Sequence, residues 1–398
     1  MKKAVIPVLL IAILMTFSGC SAIFGSTVET TQAVQTQPTA AQTTVAETEP
    51  SIGPAVTPSQ LPMAAVSVPY VTESSTADDG TVLFNYTYQN MSLTLPDPDV
   101  ANKVIIDFLN RIDKTRTNAE TLNSNAYANY KNSTQWTPYL FQILYNPTRI
   151  DHGVLSLFGS IVNYSGTPHP ENACVSASYD LVTGEVLTLG GILTDDCTAD
   201  ALFSLAATAL SNISQEKNLY PDYEDILKTR LSGDWAADEA FYFSTEGLCF
   251  YFSPYEIAPY SSGVITAQIP YDQLTGLLND AYFPAEQDAY DSNLTVSMFE
   301  AADLSKFTQF SEIVLDKGAE KILIYSDLPI YDLQLEKGQM TPGTDQFVSN
   351  CTVFALSSLT PGDALMIEAD TLSEESTLRL TYRTNGQIKQ DYITDLLD

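Results

Sequence analysis

The sequence predicts an α+β fold, an antiparallel sheet with packed helices, followed by a smaller all-β, sandwich-like domain. Three observations lead there. Short strand-like runs cluster at 139–189 and 240–269, and segments with apolar residues at helical spacing stand between the clusters instead of after every strand. The last hundred or so residues hold only short apolar runs, separated by Lys317-Gly318, Lys337-Gly338, Pro342-Gly343, Pro361-Gly362 and Asn385-Gly386. That is the turn spacing of a sandwich or barrel. Apolar residues at 44% and aromatic residues at 10% supply real cores and exclude a disordered acidic chain.

In chain order, Lys2-Lys3 forms a positive start, and Ala4 to Phe17 is apolar, ending in Phe17-Ser18-Gly19-Cys20. The run falls short of the roughly 20 residues that a spanning helix needs and fits a secretory leader over residues 1–20. Small residues before a cysteine at that point resemble a bacterial lipoprotein lipobox. The resemblance implies a diacylglyceryl and acyl lipid anchor on Cys20 after cleavage. The alternative is an ordinary signal peptide with a chance cysteine. Residues 21–69 read as a disordered tether of Thr, Ala, Gln, Pro and Ser, with no Lys or Arg. As a coil of about 43 residues, the part from Ser26 to Val68 reaches roughly 35–40 Å.

Residues 80–284 read as the α+β binding module. Strands are expected at Thr81–Tyr88 and Met91–Leu95, joined by a tight turn at Gln89-Asn90. Asp97-Pro98-Asp99 caps a helix with Val100, Val104, Ile105, Phe108, Leu109 and Ile112 on its apolar face and Asp107, Arg111 and Lys114 on a solvated one. Strands follow at 139–145, 154–164, 173–181 and 185–189, helices at 201–213 and 223–231, strands at 240–244, 248–252 and 264–269, and a short helix at 271–278. In the last region, 291–398, the Asn385-Gly386 hairpin allows two registers. A three-residue loop, Thr384 to Gly386, puts Leu378, Leu380 and Tyr382 on one face with Ile388, Gln390 and Tyr392, and is preferred over a two-residue turn.

The chain holds 18 Lys+Arg against 49 Asp+Glu, a net charge of −31. That excludes a nucleic-acid binder and repels anionic lipid and wall polymers, so a charge-driven partner is basic. Loss of a leader holding Lys2 and Lys3 makes the balance more negative still. Beyond Cys20 there are Cys174, Cys197, Cys249 and Cys351, without metal-like spacing, and only His152 and His169. No metal and no cofactor is expected. The thiols are read as buried small hydrophobes, with a Cys174–Cys197 or Cys197–Cys249 bridge as the alternative.

The run Phe241 to Tyr260, with Tyr255-Glu256-Ile257-Ala258-Pro259-Tyr260, Gly263 and Ile269-Pro270-Tyr271, resembles the domain-of-unknown-function family 3298. Gly166-Thr167-Pro168-His169-Pro170 and Tyr179 to Leu189 resemble the same family, and Leu95-Pro96 with Leu109-Asn110-Arg111-Ile112 is similar to its companion N-terminal module. Together these cover about half the chain. The pair occurs outside the membrane in lysozyme-sensing anti-sigma factors and ahead of the catalytic domain in some peptidoglycan deacetylases. The resemblance implies a binding module, not a catalyst.

From the residues themselves, Glu246-Gly247 turns two aromatic strands into a hairpin, and Pro254 and Pro259 bracket the loop that leaves it. Glu256 reads as a carboxylate that fixes this loop through backbone amides, or as a ligand contact; His169, between two prolines, reads as a rigid loop residue. The candidate ligand-binding set is Tyr255, Glu256, Tyr260 and His169, with no catalytic residue. Asp195-Asp196 and Asp238-Glu239 are acid pairs that so acidic a chain holds by chance, and no nucleophile elbow, HExxH or P-loop motif is present. The expected function is a non-enzymatic, lipid-anchored protein on the outer face of the bacterial cytoplasmic membrane that binds a cationic protein such as lysozyme. The alternatives are a wall-glycan-binding or glycan-modifying accessory protein and a purely structural surface module.

Overall fold

Asp97 begins the longest helix as its sequence position demands: its carboxylate accepts from the Asp99 and Val100 amides, and Pro98 takes the first helical position. In the computed structural model, which describes residues 64–235, 238–285, 290–299, 304–315, 319–341, 346–369 and 377–396, this helix, α1, runs Pro98–Tyr130. The leader, Cys20 and the tether up to residue 63 lie outside the described residues. α1 packs Val100, Val104, Phe108 and Ile112 against one sheet, as its spacing predicts, but Leu109 is exposed. It then continues through the polar stretch on a narrower stripe of Ala119, Leu122 and Ala126.

That sheet has the order β2-β3-β5-β6-β7, from β2 (Tyr70–Thr76), β3 (Val82–Gln89), β5 (Tyr139–Ile150), β6 (Val154–Tyr164) and β7 (Glu171–Asp180), with β3 and β5 parallel across α1. The face of α1 expected to be solvated is instead pinned at Asp107 and Arg111. Tyr179 Oη and Arg111 Nε both donate to Asp107 Oδ2, at 3.0 and 2.5 Å, and Arg111 reaches Glu239 Oε2 at 2.7 Å. Nor is 185–189 a strand. One bridge, Tyr179 to Val186, precedes a short helix, α2 (Leu189–Ile192), capped by the Thr188 hydroxyl.

Helices α3 (Ala199–Ile213) and α4 (Tyr223–Leu231) cover a three-stranded sheet, β10-β9-β8, made of β8 (Phe241–Phe243), β9 (Gly247–Phe252) and β10 (Ile265–Pro270). Every residue of β9 is buried, and Phe241, Phe243, Phe250 and Phe252 form its core with Leu202, Ala206 and Leu227. The helix expected at 271–278 is only a 3-10 turn, Tyr271–Leu274.

The C-terminal sandwich pairs a four-stranded sheet, β11-β13-β16-β12, with a six-stranded one, β18-β17-β14-β15-β1-β4. The first comprises β11 (Thr295–Met298), β12 (Gln309–Val314), β13 (Lys321–Tyr325) and β16 (Asp363–Glu368), with β12 and β16 parallel. The second comprises β14 (Ile330–Met340), β15 (Phe347–Leu359), β17 (Thr377–Thr384) and β18 (Gln387–Tyr392), and a final short helix, α5, spans Ile393–Leu396. Its other two strands are β1 (Ala65–Ser67) and β4 (Ser92–Thr94), which come from the start of the described chain.

Three expectations are corrected here. Residues 64–69 are not tether, because Val66 and Val68 are fully buried; Ala64 and Val66 face the first core and Ala65 faces the sandwich core. Alternation along the strand gives each face its own core. Gln89-Asn90 is not a hairpin, since β3 and β4 lie in different sheets. The 385–386 loop is the two-residue turn: Thr384 pairs with Gln387 and Leu380 with Asp391. Asn385 and Gly386 both take positive φ, 48° and 70°, which is the geometry that matches the twist of the flanking strands. Tyr382 stays buried and donates to Asp391 at 2.7 Å.

Cys174, Cys197, Cys249 and Cys351 stand in no disulfide among the described residues, and all are buried except the half-buried Cys174. Burial pushes the Cys249 and Cys174 thiols up from 9.0 to about 11, and Tyr145 from 10.0 to about 12. Because the folded chain holds these groups neutral, the thiols' contribution is complete below about pH 9 and is lost as pH rises through about 11, and that of Tyr145 is complete below about pH 10 and lost through about 12. Urea midpoints are therefore expected to fall between pH 9 and 11. The Cys249→Ala variant should fall less over that interval, and an equal fall would contradict the assignment.

Candidate functional site

The loop after β9 is built from the inside out. Ile257 and Ala258 are buried and dock it, with Tyr220 N donating to Ile257 O at 2.8 Å and Cys174 N to Ser253 Oγ at 3.0 Å. The Tyr255 N to Ala258 O and Glu256 N to Ser253 O bonds close it on itself. Glu256 Oε2 accepts from Ser253 N at 2.9 Å, so the carboxylate does what the loop-fixing reading expects. It does so at the surface, because Glu256 is exposed.

With the loop fixed this way, Tyr255 is thrown outward. It is 55% exposed and holds φ at 74°, a left-handed value that costs a bulky residue about 1–2 kcal/mol. Its hydroxyl lies 3.2 Å from His169 Nε2. The His169 ring stacks on Tyr260 at a centroid distance of 4.6 Å and 28° between planes, and Tyr255 and Tyr260 lie 5.4 Å apart. Asn172 Nδ2 donates to Tyr260 Oη at 2.9 Å, and that hydroxyl donates to Pro170 O at 3.3 Å. Burial, and then the neighbouring Tyr255 hydroxyl, keep the Tyr260 phenol above its ordinary range, so it remains protonated.

The structure thus brings together His169, Tyr255 and Tyr260 from segments almost ninety residues apart, with Glu256 at the rim facing its own loop. The result is a small surface of ring faces with the Glu256 carboxylate at its rim. Ring faces of this kind attract an ammonium or guanidinium, and a carboxylate beside them can pair with it. His169 is held by the stack on Tyr260, by the Tyr255 hydroxyl at Nε2 and by Pro170 O at 3.2 Å from Nδ1. Sequence reasoning missed Asn172, which orients Tyr260; only the fold places it there. Among the described residues no group of three His, Cys, Asp or Glu is placed to hold a metal, and no helix is long and apolar enough to cross a membrane.

No curated protein matches the chain. Among solved structures, a member of the DUF3298 family from Bacteroides fragilis is 19% identical, with 54% of this chain and 94% of that one covered and a TM-score of 0.40. A DUF3298 family protein from Pseudomonas aeruginosa is 18% identical over 56% of this chain and 97% of its own, with a TM-score of 0.39. The family match begins at the end of α2 and takes in α3, α4, the aromatic hairpin and the Tyr255–Tyr260 loop, while His169 precedes it. Residues 192–272 match the model of the family described as Protein of unknown function (DUF3298), the one that the aromatic hairpin and loop resemble.

Proposed function

We propose that this is a non-enzymatic, lipid-anchored protein of the outer face of the bacterial cytoplasmic membrane, which binds a basic extracellular partner, a cationic protein such as lysozyme, through the face formed by His169, Tyr255 and Tyr260. The observation that carries the reading is the exposed, left-handed Tyr255, whose ring is presented at a conformational cost beside two stacked rings and an acid. A net charge of −31 supports it, since it draws a basic partner in and sets register while the ring face supplies the short-range contact. The lipobox-like run Phe17-Ser18-Gly19-Cys20 in the sequence supports the anchor.

The test uses the chain from Ser21 onward; starting it at Val71 would delete β1 with its buried Val66, and the buried Val68 that follows it. Binding to lysozyme is compared at low and physiological salt with an equally basic unrelated protein. Lysozyme-only binding that persists at physiological salt is the expected result, because a contact carried by rings survives screening of the long-range field. Tyr255→Gly removes the ring and relaxes the positive φ, so stability should stay within about 1 kcal/mol of the parent. Affinity should fall by about 2 kcal/mol or more, the loss typical of a central aromatic anchor. Equal binding of both proteins that vanishes with salt, or an undiminished affinity in Tyr255→Gly, would refute the reading.

A further inference from the structure

Beyond the ring face, a cleft of about 410 Å³ opens between the second half of α1 and the strands β5, β6 and β7. Its floor is apolar, formed by Leu122, Phe141 and Ile161, and its two walls are amide-rich. On the helix side Asn118, Thr121 and Asn125 are exposed at a spacing of three and four residues, the stripe of one helix face. Asn is a poor helix former, and here it occupies surface positions where Ala, Lys or Glu would favour the helix. On the sheet side stands Asn163, on the same face as Ile161, Phe141 and Glu171, with its amide nitrogen committed to Glu171 Oε2 at 3.2 Å. Its carbonyl oxygen is buried without a hydrogen-bond donor. An unpartnered buried acceptor is costly unless a donor reaches it. Asn172, on the other face of β7, is turned to Tyr260 Oη instead.

The lining contains no Lys, Arg or His, and its single charge is Glu171. A phosphate or carboxylate ligand is thereby disfavoured in a chain already strongly acidic. What matches an apolar floor between walls of amides, a hydroxyl and one carboxylate is a molecule with a C–H face and many hydroxyls that both donate and accept. We propose that this cleft is a binding site for a short neutral saccharide, seated on Phe141 and Ile161 and hydrogen-bonded by Asn118, Asn125 and Asn163. The site is separate from the ring face and does not depend on the partner proposed there, since the Asn172 side chain between them is turned to the ring face. Its volume falls within the range of small-ligand pockets.

The experiment is calorimetric titration of the chain from Ser21 onward with triacetylchitotriose and with maltotriose, two neutral trisaccharides of different substituents. At least one should bind, and the double variant N118A/N125A should bind it at least about tenfold more weakly. Both replaced residues are exposed and Ala favours the helix, so the variant should melt no lower than the parent. Tyr255→Gly should keep the saccharide affinity, which distinguishes loss of this site from loss of the ring face. Absence of binding by either sugar up to millimolar concentrations, or equal affinity in N118A/N125A, would overturn the proposal.

Discussion

Arg149→Ala is expected to destabilise the folded chain by about 3–5 kcal/mol, the cost of removing one partner from a buried ion pair. The Arg149 side chain is 2% exposed and meets Asp151 Oδ2 through both Nε, at 2.6 Å, and Nη2, at 2.5 Å. Nη1 donates to Tyr271 Oη and to Tyr282 O, each at 2.7 Å, and the guanidinium lies 5.3 Å from the Phe243 ring centroid and 5.4 Å from that of Tyr271. One cation therefore ties the end of β5, the turn into β6, the aromatic hairpin and the 3-10 turns that follow β10. Asp151 is committed in turn, its Oδ1 accepting from the Gly153 and Val154 amides. Removing the cation leaves that carboxylate largely enclosed with no counter-charge and strands Tyr282 O. Arg149→Met with Asp151→Asn removes both charges and keeps an oxygen for the two amides, so it should lose clearly less than the single variant. Urea unfolding of the three proteins decides the matter. A single-variant loss below about 1 kcal/mol would show that the network adds nothing beyond its packing.

In the sequence Arg149 stands two residues after Pro147, past the strand expected at 139–145, and nothing nearby marks its partners; that contrast holds across the molecule. Elements with strong local periodicity were legible: the β6 and α4 bounds match their apolar patterns, and Asp97-Pro98 marks the α1 start. The second half of α1 was not, because its buried stripe uses Ala119 and Ala126, which carry little hydrophobic signal among Thr and Asn. Asp107 and Arg111 looked solvated because their partners, Tyr179 and Glu239, are far along the chain. β1 was hidden for the same reason: Ala65 to Ser67 carry little local signal, and pairing with β15 and β4, distant in sequence, makes them a strand. The candidate site was legible by residue type but not by arrangement. His169, Tyr255, Glu256 and Tyr260 were each visible, whereas the stack of His169 on Tyr260, the outward turn of Tyr255 and the role of Asn172 arise from the packing of β7 against the loop after β9. The hairpin at Asn385-Gly386 shows a different limit, since both registers satisfy the turn chemistry in outline and the positive φ at both residues selects one.

Gly159→Ala should cost about 3 kcal/mol or more, and Gly159→Val should prevent accumulation of folded protein. Gly159 lies mid-strand in β6, opposite Tyr145 of β5 and Val175 of β7, so it is hydrogen-bonded into the sheet on both sides. A Cβ built there would lie 1.8 Å from Leu144 O and 2.7 Å from Leu144 C and Tyr145 Cα. All three are backbone atoms, which cannot rotate away as a side chain would. Accommodation requires β5 and β6 to separate where Ile143, Tyr145 and Leu157 pack into the core against α1. The loss therefore combines steric strain with weakened ladder bonds, at or above the upper end of the usual overpacking cost. Strand residues are normally indifferent to an added methyl group, so the size of the effect is the signature of backbone contact. Hydrogen exchange localises it: β5 and β6 amides in Gly159→Ala should exchange faster while those of β14 and β15, in the other sheet, keep their protection relative to global unfolding. A Gly159→Ala protein with unchanged midpoint and unchanged β5 protection would mean that β5 and β6 stand farther apart at this point than the structure places them.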